Sequence, residues 1–229
     1  MNTHDIATHL NAVRTRLAAA ERRAGRAPGS VRLLAVSKTR TVDEIRAAVA
    51  AGQRAFGENY LQEALEKIDA LKDEPLEWHF IGRIQSNKTR QIAERFDWVH
   101  SVGSLKHARR LNDQRPGPLP PLKVCLQVNV SGEASKGGFA PQALDEAVPA
   151  CCALDRLQLM GLMTLPAPAL TEAEQRPPFR RLRELRDRLA TDTCRLQTLS
   201  MGMSGDLEAA VAEGSTLVRI GTAIFGPRP

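Results

Sequence analysis

The strongest constraint on the fold is an alternation of short apolar segments with helical segments, which occurs eight times along the chain. The apolar segments are predicted as strands and begin roughly 25 residues apart, as is typical of βα units. They lie at Val31–Val36, Arg54–Gly57, Glu77–Ile81, Trp98–Ser101, Leu122–Val130, Leu157–Leu162, Leu196–Met201 and Leu217–Ile220. Strands that alternate with helices form parallel sheets. Eight such units with short loops predict an α/β fold, a single (β/α)8 or TIM barrel, and a doubly wound open sheet is the alternative.

An extra helix is predicted before the first strand, because Ile6, Leu10, Val13 and Leu17 fall on one helical face. The helices between the strands are predicted at Thr41–Ala51, Leu61–Leu71, Asn87–Arg95, Leu105–Leu111, Pro141–Leu154, Phe179–Leu189 and Asp206–Glu213. The sequence shows no composition shift that would mark a domain boundary. Residues 1–229 are therefore expected to form one domain.

Composition narrows the class of protein. The 229 residues are 42% hydrophobic, which is enough for a substantial core. The sequence contains neither an apolar run of about 18 residues, as a membrane span requires, nor a signal-peptide core. We therefore expect a cytoplasmic protein with no membrane partner, and we expect a monomer.

The charge of the chain is +6, but its basic residues are scattered and Tyr60 is its only tyrosine. Nucleic-acid binding by base stacking is therefore not expected, and an anionic small ligand fits the charge equally well. The cysteines are Cys125, Cys151, Cys152 and Cys194. Their spacing matches no metal or redox motif, so we expect idle, buried thiols and no metal site.

Lys38 is the lysine best placed for chemistry. Reacting groups of a (β/α)8 barrel lie at the C-terminal ends of its strands. Lys38 follows the apolar strand VRLLAV with one serine between them. Loss of hydration there favours the neutral amine that forms Schiff bases. By position alone, a surface lysine that closes a strand is the favoured interpretation.

The other six lysines are less well placed. Lys88 and Lys136 lie in loops that could also face such a site, and Lys123 opens a strand at the opposite end of the barrel. Lys67, Lys72 and Lys106 fall within or near predicted helices.

The C-terminal segment LSMGMSGDLEAAVAEGSTLVRIGTAIFG predicts a phosphate site. Ser204 and Gly205 are predicted to open a helix after the seventh strand, with Ser204 as N-cap. Gly221 and Thr222 open a second short segment after the eighth strand. Barrels often hold a phosphate between these two loops, where free N–H groups point at the anion.

Two charged residues in this segment need separate interpretations. A carboxylate at Asp206 would repel a phosphate, so we expect it to point away. Arg219 lies inside the eighth strand, where a charged side chain needs a partner. That partner is either a carboxylate in the core or a ligand in the barrel mouth.

Several segments together resemble a known family. These are AVSKTRTVDEI, FGENYLQEALEK, WHFIGRIQSNK, VNVSGEASKGGF, GLMTLP and the C-terminal segment above. From about residue 30 to residue 226, the chain resembles the pyridoxal phosphate homeostasis protein family. The family fold is similar to the N-terminal barrel of alanine racemase, usually without the second, β-rich domain of the racemase. Arg83 departs from the pattern, since many relatives carry a nonpolar residue there.

The resemblance implies that the chain binds pyridoxal 5′-phosphate (PLP). Lys38 would be the Schiff-base lysine, and Arg219 would face the pyridine nitrogen. Ser204, Gly205, Gly221 and Thr222 would bind the phosphate. Asn59 would lie beside the ring, and His79 and Met163 would line the pocket less directly.

The resemblance implies a carrier that stores PLP and delivers it, through transient contacts, to apo-enzymes. Arginine only donates hydrogen bonds, so Arg219 would leave the pyridine nitrogen unprotonated and the cofactor a poor electron sink. An alanine-type racemase is the alternative, although it needs a second acid/base on the opposite face of the ring. A phosphosugar enzyme on a similar barrel would leave the family motifs unexplained.

Overall fold

The computed structural model describes residues 3–133 and 137–227. The strands of this part of the chain form a closed barrel in sequence order, and every neighbouring pair is parallel. They are β1 (Arg32–Val36), β2 (Ala55–Glu58), β3 (Glu77–Phe80), β4 (Trp98–Val102), β5 (Leu122–Gln127), β6 (Leu157–Met163), β7 (Thr198–Ser200) and β8 (Leu217–Ile220). The predicted (β/α)8 barrel is confirmed, and the open sheet is excluded because β1 pairs with β8.

The helices surround this barrel. They are α1 (Thr3–Arg23), α2 (Val42–Ala50), α3 (Leu61–Ala70), α4 (Thr89–Arg95), α5 (Leu105–Gln114), α6 (Leu144–Cys152), α7 (Glu172–Leu189), α8 (Leu207–Ala212) and α9 (Thr222–Phe225), with a short 3-10 helix at Pro141–Ala143. The extra helix α1 packs on α2, α8 and α9. Its predicted apolar face is buried, as shown by Ile6, Leu10, Val13 and Leu17.

Helix α7 starts earlier than the sequence predicted. It begins at Glu172, although Pro177 and Pro178 lie inside it. Prolines remove helical donors, which is why the prediction began after them. The start is fixed instead by a capping box, in which the Thr171 hydroxyl accepts from the Glu174 N–H and the Glu174 carboxylate accepts from the Thr171 N–H.

Two strands are shorter than predicted by three residues each. β5 ends at Gln127, because the following backbone pairs with Phe139 of the next loop, which bonds Gln127 and Asn129. β7 begins only at Thr198. Leu196 has a φ of 45°, a left-handed conformation that cannot continue a strand.

The prediction of idle thiols is wrong for two of the four cysteines. Cys152, at the end of α6, and Cys194, before β7, form a disulfide across 42 residues of sequence. A pair so far apart leaves no local spacing to recognise. Cys125 and Cys151 are free and buried, and burial raises the pKa of Cys125 to about 12 and that of Cys151 to about 11.

Across the two described ranges, every helix is too short or too polar to cross a lipid bilayer.

Candidate functional site

The candidate site is a cavity of about 290 Å³ at the C-terminal end of the barrel, where such folds carry their reacting groups. It is formed by the loops that follow β1, β2, β3, β6, β7 and β8. Its lining residues are Val36, Lys38, Arg40, Asn59, Ile81, Met163, Leu165, Met203, Ser204, Gly205, Arg219, Gly221, Thr222 and Gly226.

Eight of the nine residues proposed from the sequence line this one cavity. They are Lys38, Asn59, Met163, Ser204, Gly205, Arg219, Gly221 and Thr222. His79 is the exception. It is fully buried inside the barrel and contacts His100 and Glu77 rather than the cavity.

Lys38 lies in the loop that directly follows β1. The next residue, Thr39, has a φ of 62°, which is uncommon for a β-branched residue and costs conformational energy. The N–H of Thr39 donates to Glu63 Oε1 at 2.5 Å. The backbone beside Lys38 is therefore held in a strained conformation by a side chain from α3.

The turn after β7 differs in detail from the prediction. Helix α8 begins at Leu207 with Asp206 as its N-cap, so Ser204 is not the cap. Ser204 and Gly205 form the turn before the helix and face the cavity. The Asp206 carboxylate accepts from the Met203 N–H at 2.5 Å, so it is bonded within its own turn, and Asp206 is not among the residues that line the cavity.

The same turn is braced from outside by α1. Arg16 donates to the Ser204 carbonyl at 2.8 Å and forms a two-bond ion pair with Glu208 of α8. This contact joins the extra N-terminal helix to one side of the cavity.

Gly221 forms the second turn, between β8 and α9. A Cβ at this position would lie 3.2 Å from the Val36 carbonyl oxygen, so glycine allows β1 and this turn to approach closely. Helix α9 starts at Thr222, and the first N–H groups of a helix have no partner within it. The two turns thus bring backbone donors and the Ser204 and Thr222 hydroxyls to one end of the cavity.

Arg219 reaches the cavity from the interior of the barrel. Among the described residues, its guanidinium donates to the Ser200 carbonyl at 2.5 Å, to Ser200 Oγ at 2.7 Å and to the Thr164 carbonyl at 2.8 Å. Burial lowers its pKa to about 10, against the opposing charge of Asp206. It is still a cation at neutral pH, and oxygen atoms that carry no full charge hold it in place.

A line of hydrogen bonds continues from Arg219 across the barrel. Ser200 Oγ lies 2.7 Å from His100 Nδ1, and His100 Nε2 lies 2.9 Å from His79 Nδ1. His79 Nε2 lies 3.2 Å from Glu77 Oε2. We call these five residues the histidine chain.

With both imidazoles neutral, the carboxylate of Glu77 sets the direction of every bond in the histidine chain. Arginine can only donate and a carboxylate can only accept. Ser200 therefore donates to His100, His100 to His79, and His79 to Glu77. Both imidazoles are neutral, and burial lowers the pKa of each, most strongly for His100.

Asn59 lies in the loop after β2 and forms part of the cavity wall. Its Oδ1 atom is buried, with no hydrogen-bond partner among residues 3–133 and 137–227. The Asn59 backbone packs against Gly82 so closely that a Cβ on Gly82 would lie 1.9 Å from the Asn59 carbonyl oxygen. An unsatisfied polar atom at a cavity wall is a typical contact point for a ligand.

Sequence reasoning missed Arg40 and Lys67. Arg40 lines the cavity and donates to the carbonyls of Gly226 and Pro227 at 2.7 and 2.6 Å, which joins the Lys38 loop to the turn after α9. Its position two residues after Lys38 was the available signal. Lys67 was set aside as helical, but its ammonium group reaches the carbonyl of Ser37 beneath the same loop.

The comparisons with known proteins agree with this geometry. Residues 8–229 match the family described as alanine racemase, N-terminal domain. The chain is 59% identical over 223 residues to the pyridoxal phosphate homeostasis protein of Pseudomonas aeruginosa, covering 97% of this chain and 96% of that protein. It is 50% identical over 228 residues to the protein of the same name from Escherichia coli, with coverage of 98% and 97%. The chain belongs to the pyridoxal phosphate homeostasis protein family.

Solved structures of similar barrels superpose on this chain. The chain superposes on PipY of Synechococcus elongatus, solved with PLP bound, with a TM-score of 0.82 and 40% identity over 96% of this chain and 100% of that one. Alanine racemase of Corynebacterium glutamicum gives a TM-score of 0.68 at 19% identity, over 96% of this chain and 62% of the racemase chain. The second likeness concerns the fold alone.

Proposed function

We propose that this protein binds PLP in the cavity at the C-terminal end of the barrel, carries it as a Schiff base on Lys38 and delivers it to apo-enzymes through transient contacts. The observation that carries the proposal is the meeting of Lys38, the buried Arg219 and the turns at Ser204–Gly205 and Gly221–Thr222 around a single cavity. The high identity to homeostasis proteins and the PLP bound to PipY support it.

The lining residues suit the three parts of PLP. The turns at Ser204–Gly205 and Gly221–Thr222 supply donors for the phosphate. Arg219 supplies a donor for the ring nitrogen. The Asn59 Oδ1 atom, which has no partner among the described residues, is available to a donor on the ring. Lys38 supplies the amine, whose nitrogen bonds to the aldehyde carbon while the aldehyde oxygen leaves as water with the two amine protons.

Bound PLP supplies a reactive aldehyde and an electron-withdrawing ring. Arg219 limits the second property, because a guanidinium that donates to the ring nitrogen leaves that nitrogen unprotonated. The histidine chain holds Arg219 in that role. The arrangement favours storage of the cofactor over broad carbanion chemistry.

The described residues that line the cavity include no second acid/base of the kind that the racemase alternative needs. His79 was the residue most able to supply one, but both its ring nitrogens are bonded inside the barrel. Tyr60 is 54% exposed at the start of α3 and does not line the cavity. We therefore propose a carrier without racemase activity.

The test is to find the residue that carries the cofactor. The protein is loaded with PLP, reduced with borohydride, digested and mapped by mass spectrometry, alongside the Lys38→Ala variant. We expect the label on the peptide that contains Lys38 and no equivalent label in the variant. A main label on Lys88, or on Lys136, which lies outside the described residues, would contradict the proposal.

A further inference from the structure

A second lysine, Lys67, lies beneath the loop that carries Lys38. It projects from α3, and its side chain is 5% exposed. It meets two acidic residues, Glu58 at the end of β2, which is fully buried, and Glu63 one helical turn before it in α3. We call Lys67, Glu58 and Glu63 the lysine cluster.

The ammonium group of Lys67 uses all three of its protons. It donates to the Ser37 carbonyl at 2.7 Å, to Glu58 Oε1 at 2.9 Å and to Glu63 Oε1. The Ser37 hydroxyl also donates to Glu58 Oε1, at 2.6 Å. The lysine cluster therefore binds both the backbone and the side chain of the residue before Lys38.

The residue after Lys38 is bound to the same cluster. Thr39 donates its N–H to Glu63 Oε1 at 2.5 Å, the oxygen that also accepts from Lys67. Thr39 holds a left-handed conformation that a β-branched residue adopts only when its surroundings impose it. Lys38 is thus held from both sides through one ammonium group.

If the lysine cluster serves stability alone, it contributes little to the free energy of folding. Buried ion pairs are often no more stabilising than apolar groups of the same size. Burial raises the pKa of Glu58, and its Oε2 atom has no hydrogen-bond partner in the described part of the chain. Stability alone therefore does not account for the lysine cluster. Its contacts with Ser37 and Thr39 indicate that it fixes the backbone on both sides of Lys38.

We propose that Lys67 is a positioning residue that fixes the Ser37–Thr39 backbone, holds the Lys38 amine at the cavity and thereby sets how long the protein retains PLP. The inference rests on the proposed function, because it assigns Lys67 an effect on the bond made by Lys38. It concerns this covalent bond and not the sites for the phosphate and the ring.

The experiment compares two ligands in Lys67→Met, a variant of similar length that lacks the three donors. One ligand is PLP. The other is 4′-deoxypyridoxine 5′-phosphate, which has a methyl group in place of the aldehyde and reports only on the phosphate and ring contacts. Lys72→Met is the matched control, since Lys72 is exposed just beyond the same helix.

We expect Lys67→Met to release PLP roughly tenfold faster than the wild type, the size of effect given by one lost charge-assisted hydrogen bond. The fraction fixed by borohydride on Lys38 falls with it. Affinity for the deoxy analogue is unchanged, and Lys72→Met behaves as the wild type for both ligands. Glu63→Gln, at a partly exposed position, gives a smaller effect of the same kind and serves if Lys67→Met does not fold.

Two results would overturn the inference. Equal loss of affinity for both ligands would make Lys67 an ordinary structural residue, and an unchanged release rate of PLP would deny it any role at Lys38. Failure of the proposed function looks different, because the wild type itself would then show no borohydride adduct that Lys38→Ala removes, and the inference would fall with it.

Discussion

The histidine chain predicts a specific loss of stability in mild acid. His79 and His100 are fully buried, and burial lowers the pKa of both. A group whose pKa is lower in the folded state binds protons preferentially when the protein unfolds. Its contribution to stability is present above the unfolded pKa, near 6.5, and is lost as the pH falls below that value.

The size of this loss follows from proton linkage. Between pH 7.5 and 5.5, a histidine that stays neutral in the fold loses about 1.4 kcal/mol of stability, because its unfolded form becomes about nine-tenths protonated. The variant His100→Asn cannot titrate and keeps a polar group beside Ser200, so it should lose about 1.4 kcal/mol less than the wild type over the same interval.

The measurement is urea unfolding at the two pH values for the wild type and His100→Asn, both without ligand. Groups outside the histidine chain contribute equally to both proteins, so the difference between the two pH dependences reports on His100 together with its partner His79. Equal pH dependences would refute the reasoning, because they would mean that His100 binds a proton as readily in the fold as in the unfolded chain.

Three further predictions concern the cavity. Pyridoxal should bind at least about a hundredfold more weakly than PLP, measured by equilibrium dialysis, because the turns at Ser204 and Gly221 lose their charge-assisted bonds; equal affinities would remove the phosphate site. Arg219→Leu should lower the free energy of unfolding by about 3 kcal/mol, since it removes three hydrogen bonds to buried oxygens of Ser200 and Thr164; unchanged urea unfolding would argue against that network. Exchange of the α-hydrogen of L-alanine in deuterated water, followed by NMR, should be negligible for both the wild type and His79→Ala, and rapid exchange that disappears in the variant would make the protein a racemase.

The sequence predicts those parts of the site that depend on local patterns, such as a residue's position just after a strand. Eight apolar segments at regular spacing define the barrel, and the barrel defines which loop residues share one end. Lys38, Ser204 and Gly221 each follow a strand directly, so their meeting at one cavity needed no knowledge of side-chain packing. The predicted starts of α7 and β7 were wrong. The prolines inside α7 suggested a later start, and the left-handed conformation of Leu196 leaves no sign in the sequence.

The sequence did not predict contacts between residues that are far apart in the chain and that lie in no recognisable local motif. Lys67 lies in an amphipathic helix and has the sequence context of a solvated lysine, but the closeness of α3 to the first loop turns its side chain inward. His79 lies within β3 and faces the barrel interior, so it bonds His100 of the adjacent strand and does not reach the cavity. Such pairings depend on which face of each strand points inward and on the distance to elements far along the chain.

The interior of this barrel is polar enough to hold the Arg219 guanidinium by hydrogen bonds to uncharged oxygen atoms, with no carboxylate bonded to it among the described residues. Barrels of this kind are usually filled by layers of apolar side chains, and here Trp98, Cys125 and Met163 form only a small apolar group. The charge of Glu77 lies at the far end of the histidine chain, where Trp98 donates to it at 2.7 Å. Although burial opposes it, hydrogen bonds from His79 and Trp98 hold the pKa of Glu77 below its usual range.

Because each group in the chain donates toward Glu77, no bond in it can be reversed unless a proton is added or removed. A protonated His100 could not accept from Ser200 and would instead donate to its Oγ, so the Ser200 hydroxyl would lose its acceptor. The neutral histidines therefore keep the Ser200 hydroxyl proton directed at His100 and the Oγ lone pairs open to Arg219, so that the guanidinium has a fixed orientation at the cavity. On the proposed function, this orientation would keep the ring nitrogen of PLP unprotonated and the cofactor in its storage role.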